Sequence, residues 1–64
     1  MSWKPEVQTG SENWNGNALR FATKEEAEKY ALDLSIRWLR VTNIRVVKCD
    51  DPVNYRWNGK LEPV

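Results

Sequence analysis

Residues 23–41, TKEEAEKYALDLSIRWLRV, decide how this chain folds, because they open with helix-start chemistry and then carry apolar side chains on two faces at once. Thr23 can accept a hydrogen bond from an amide of the first turn, and Glu26, three residues on, can reach back to the cap's own N–H. A helix is therefore predicted over about residues 23–42. At about 100° per residue, Ala27, Tyr30, Ala31, Leu34, Trp38 and Val41 fall in one stripe, the usual core face. Glu26, Lys29, Asp33 and Arg37 alternate in sign at three- or four-residue spacing and read as a solvated row. Leu32, Ile36 and Leu39 point nearly opposite to Leu34 and Trp38, so a second surface has to cover them. The end of the chain folding back, a helix set deeper than one sheet face requires, and a docking partner are the three ways to do it.

Working outward, Trp3, Pro5 and Val7 alternate with Lys4, Glu6 and Gln8, the pattern of a strand. Pro5 assigns that strand an edge position, since proline cannot donate to a ladder. Thr9-Gly10-Ser11-Glu12-Asn13 has turn chemistry, and a second strand is predicted from Trp14 to Phe21, with Gly16 marking a bulge. Downstream of the helix, Asn43 to Cys49 carries three β-branched residues and reads as a third strand, which Asp50-Asp51-Pro52 breaks. The remainder, residues 53–64, holds Tyr55, Trp57 and Leu61. It is a tail expected either to pack back on the domain or to stay partly disordered. The prediction is a single small α+β domain over residues 1–64, a two-layer ββαβ unit with a mostly antiparallel three-stranded sheet under one helix.

Composition narrows function. A chain of 64 residues with four Trp is near the lower size limit for a core without staples. Ten basic and nine acidic residues leave a net charge of +1, a weak attraction for nucleic acid or anionic membrane. No apolar run approaches the length of a membrane span, no signal-peptide pattern opens the chain, and the single Cys49 cannot close an internal disulfide. A cytoplasmic setting is the expectation.

Trp3-Lys4-Pro5-Glu6-Val7, the run NALRFATKEEAE from Asn17 to Glu28, Arg45-Val46-Val47 and DDPVNYRW from Asp50 to Trp57 together resemble a group of short proteins of bacteriophages and bacteria with no assigned activity. The resemblance reaches Trp57. It implies a phage or bacterial origin, with life in the host cytoplasm if phage-encoded, and it transfers no catalytic or binding residue.

Catalysis is poorly supplied. His is absent, which removes the usual general base and the commonest zinc ligand, and no glycine-rich phosphate cradle occurs. Asp50-Asp51 with Asn54 could offer oxygens to a divalent cation, but Asp before Pro is more simply a strand stop. No catalytic residue, metal or cofactor is expected. The leading expectation is a noncatalytic accessory module that binds another protein or a second copy of itself through Leu32, Ile36 and Leu39 on the helix and Tyr55, Arg56 and Trp57 in the tail, since Trp and Arg are favoured interface anchors. The alternative is a nucleic-acid-binding module that uses Arg45, Lys48, Arg56 and Trp57, on the logic of cations interleaved with stacking aromatics.

Overall fold

The computed structural model describes residues 1–10 and 13–64 and has the expected two-layer α+β architecture, one helix on a three-stranded antiparallel sheet. Strand β1 (Ser2–Thr9) is central, between β2 (Asn15–Gly16) and β3 (Val41–Cys49), and helix α1 (Lys24–Arg37) lies across one face. The turn expected at residues 9–13 lies partly outside the described residues. The segment read as a tail forms a second antiparallel sheet, β4 (Tyr55–Trp57) paired with β5 (Leu61–Pro63). Gly59, at φ 104°, takes the left-handed conformation in the turn between them, which glycine adopts without a Cβ penalty.

Register explains which residues become the core. Pro5 pairs with Val46 and Val7 with Ile44, so strand alternation sends Trp3, Pro5, Val7, Ile44 and Val46 to the helix side. There Trp3, Leu34 and Val46 pack on Phe21, Ala27 and Tyr30, and Phe21 is fully buried. The opposite face carries Lys4, Glu6, Gln8, Asn43 and Arg45. Antiparallel sheets tolerate one wet face, and this one is knit by charge: Arg45 Nε donates to Glu6 Oε1 at 2.6 Å, and its guanidinium carbon lies 4.3 Å from the Trp14 ring centroid.

Three boundaries differ from the sequence reading. The helix ends at Arg37, not near residue 42. Trp38 leaves helical geometry at φ −119°, ψ 92° after its amide donates to Leu34 O at 2.8 Å, and Val41 pairs with Thr9 as the first residue of β3. The Val41 amide donates to Trp38 O at 3.1 Å, closing a tight turn, and the strand that follows suits the β-branched Val41 and Thr42 better than a further helical turn. Val41 and Trp38 thereby leave the core stripe, and Trp38 is 43% exposed. The second strand, expected over Trp14–Phe21, shrinks to two residues plus an isolated bridge between Trp3 and Phe21. Trp3 and Phe21 exchange both backbone hydrogen bonds at 2.8 Å, so the odd residues of β1 turn their amides toward this side. Pro5 is one of them and has no N–H to offer, so the ladder lapses where a continuous strand would have needed it. The edge position inferred from Pro5 is also corrected: β1 is central, and the proline faces that lapse.

The cap is as expected in one half only. The Glu26 amide donates to Thr23 Oγ1 at 3.1 Å, but Glu26 Oε2 accepts from the Trp57 amide at 3.0 Å, which takes it out of the solvated row and ties the helix start to β4. Asp33 and Arg37 do form the expected surface pair, at 2.8 Å.

Phe21 is the test of this core. Phe21→Ala should cost about 3–5 kcal/mol, a large part of the roughly 5–15 kcal/mol available to a domain. A drop in urea midpoint with near-unchanged slope would show it, or outright loss of the cooperative transition.

Candidate functional site

Two surfaces contain the residues singled out from the sequence. The first is the outer flank of α1. Leu32 is 53% exposed and Ile36 74% exposed, one helical turn apart, and with Lys29 and Asp33 they form one wall of a groove of about 630 Å³. Trp57, Asn58 and Gly59 of the hairpin form the other wall. The hairpin therefore folds back on the helix, but at a different place from the apolar stripe. Trp57 meets Tyr30 edge-on at 5.6 Å between ring centroids, and Tyr30 in turn touches Phe21 at 5.4 Å, a tilted and T-shaped geometry favourable to aromatic quadrupoles. Leu39 stands 88% exposed in the turn beyond the helix, so the expected trio on one helical face is reduced to Leu32 and Ile36 with Leu39 as an outlier.

Tyr55 and Trp57 spend their surface on the domain's own core, against which both pack half-buried. Arg56, between them, is exposed and its Nε lies 3.6 Å from Glu62 Oε1 across the hairpin. The residues of the nucleic-acid set are spread out. Arg45 is on the open sheet face, Lys48 is three residues further along β3 on the helix side, and Arg56 and Trp57 are on opposite faces of β4.

The second surface is a polar clasp that sequence reading missed as a unit. Arg20 Nε donates to Asp51 Oδ2 at 3.1 Å, and its Nη1 donates to the Asn17 and Leu19 carbonyls. Asn54 accepts from the Arg20 amide at 2.7 Å and donates through Nδ2 to Ala18 O at 2.7 Å. The Asn54 and Tyr55 amides both donate to Arg20 O. Cys49 Sγ donates to the same Asp51 Oδ2 at 3.3 Å. Asp51 Oδ2 and Asn54 Oδ1 are thus engaged within the chain, and no cluster of three or more metal-ligating side chains occurs among the described residues. The spacing D-x-x-N, an aspartate and an asparagine around Pro52, was the available signal, but its target lay some thirty residues upstream.

Against this geometry, no protein family, curated protein or solved structure matches the chain. Among the described residues no helix is long and apolar enough to cross a membrane.

The Cys49 thiol, then the Arg20 guanidinium, hold the Asp51 carboxyl below its ordinary value of 3.8. A carboxyl with a depressed folded-state value stabilises the fold fully above its ordinary value, and that contribution fades as pH falls through the lower, folded-state value. The urea midpoint should therefore decline as the pH is lowered below about 4. Asp51→Asn should make that decline shallower, which denaturation at a series of acid pH values will reveal.

Proposed function

We propose that this chain is a noncatalytic binding module that docks another polypeptide on the flank of α1, with Leu32 and Ile36 as its apolar contacts. The observation that carries the reading is their joint exposure beside a groove whose far wall, Trp57 to Gly59, is already held in place by the Tyr30–Trp57 contact and the Glu26–Trp57 hydrogen bond. Adjacent exposed aliphatic side chains form a patch that is large for so small a domain, and a groove rimmed by a cation and an anion, Lys29 and Asp33, gives a partner both burial and orientation. A prepositioned wall also lowers the ordering cost of association. The absence of His from the sequence supports a noncatalytic role, as does the commitment of Asp51 and Asn54 to the clasp. The resemblance to short phage and bacterial proteins supports reading such a module as an accessory factor acting in the bacterial cytoplasm.

A photo-crosslinking amino acid at position 36, in the full chain expressed in bacterial cells, should yield a discrete polypeptide adduct, while the same probe at exposed Lys24 should not. Ile36→Glu, at a site with little burial to lose, should leave the circular dichroism spectrum unchanged and abolish adduct formation by a probe at position 32. A folded protein that gives no adduct at either position would sink the proposal.

A further inference from the structure

The two edges of the main sheet are treated very differently. On the β2 side Pro5 withholds a donor and the Asn17–Arg20 segment is tied away in the clasp, so that edge is broken up. On the β3 side, among the described residues, neither a proline nor a covering strand intervenes. Because the odd residues of β1 aim their amides at β2, the even ones bond to β3, where Ser2, Lys4, Glu6 and Gln8 face Cys49, Val47, Arg45 and Asn43. The alternate residues Ile44, Val46 and Lys48 therefore aim their N–H and C=O groups outward. None has a further backbone partner among the described residues, and β3 contacts only β1 and α1 among the elements. Natural sheets commonly blunt such an edge with proline, a bulge, charge or a covering segment. Here the bulge lies at the Thr42 end and Lys48 near the other, which leaves Ile44 to Val46 in unbroken register between them.

The exposed helix flank adjoins this same edge. Leu32 and Ser35 line a groove with Val41, Thr42, Asn43 and Ile44. An unpaired strand and an apolar helix stripe on one side of the molecule call for a partner that presents the same two features, and a second copy turned through a two-fold axis does so. Resting on the binding reading above and naming its partner, we propose that the chain forms a homodimer through antiparallel pairing of β3 with its twin, making one six-stranded sheet with both helices on one face.

Dimensions agree with this arrangement. α1 packs on both β1 and β3, so its axis lies over the space between them. Two such helices would then be two strand spacings apart, about 9.6 Å, within the roughly 8–10 Å at which helices interdigitate. Leu32 and Ser35, the helix residues of the groove beside β3, would face that seam, with Leu32 as its apolar contact. Charge selects the register: with Arg45 on the axis, two guanidinium groups would face each other directly. Ile44 on the axis instead sets Ile44 against Ile44 and Asn43 against Arg45, and brings Leu32, beside Ile44 in the groove, close to its twin. Arg45 stays neutralised by Glu6 in either copy. The dimer is isologous, so it closes and leaves no further β3 edge to recruit a third chain.

Sedimentation equilibrium over a wide concentration range, combined with residue-resolved amide exchange, tests it. The wild type should pass from monomer to dimer, and the Ile44 and Val46 amides should become protected as it does. Leu32→Glu, at a half-exposed position, should keep the monomer's circular dichroism and shift the dissociation constant at least tenfold weaker, with the two amides exchanging fast again. A chain that stays monomeric at millimolar concentration overturns the dimer, as does a dimer in which those amides remain unprotected. In either case an adduct to a different polypeptide at position 36 would leave the broader binding reading standing, whereas its loss together with the dimer removes both.

Discussion

Tyr30 is the side chain through which the two sheets of this molecule are joined. Its ring packs on Phe21, the residue bridged to Trp3 on the central strand, and on Trp57 of the C-terminal hairpin. A domain of 64 residues has room for very few large buried side chains, so a chain of three aromatics spanning sheet, helix and hairpin concentrates the packing energy in one line. The hydrogen bond from the Trp57 amide to Glu26 works alongside it, since an acidic side chain in the first helical turn is held there by the helix dipole and is free to accept from β4.

The clasp around Arg20 performs the same joining task with polar groups. Asn17 to Phe21 could have continued as a strand, but Pro5 removed the donor it needed, and its carbonyls and amides found Asn54 and the Arg20 side chain instead. The two most distinctive runs of the sequence, NALRF and DDPVNY, are the two sides of this single contact. The contact rests on a few matches: the Asn54 side chain bonds the Arg20 amide and the Ala18 carbonyl, and Asp51 accepts from the Arg20 guanidinium. That accounts for the residues most suggestive of chemistry, Cys49, Asp51 and Asn54, without any substrate.

Once the aromatic line and the clasp are formed, the flank of α1 still exposes Leu32 and Ile36, and the outer edge of β3 has no backbone partner among the described residues. The groove lined by Leu32 and Ile44 puts them side by side. Hydrophobic area and strand hydrogen bonds are ordinarily separate sources of association. Their adjacency here means that one partner geometry satisfies both, along a sheet edge where the described residues place neither proline nor a covering strand.

Local chemistry was enough to read the helix start at Thr23, the core residues Ala27, Tyr30, Ala31 and Leu34, the strand at Trp3–Gln8 and the position of Leu32 and Ile36 off the core stripe, because capping and periodicity act within one or two turns of chain. What covers those two stays open, at that level, between the chain end, a deeper helix and a partner. Helix length was not legible: Val41 and Thr42 fit the helical period, and only Thr9 across the sheet turned them into strand. The collapse of the second strand, the hairpin in the last residues and the clasp were hidden for the same reason. Each depends on a partner tens of residues away, and a hydrogen bond of that span leaves no periodic trace in the segments it joins. Sequence alone determined which side chains seek burial or water; the tertiary arrangement decided which of them succeeded, since shelter is supplied by surfaces that exist only after distant segments have met.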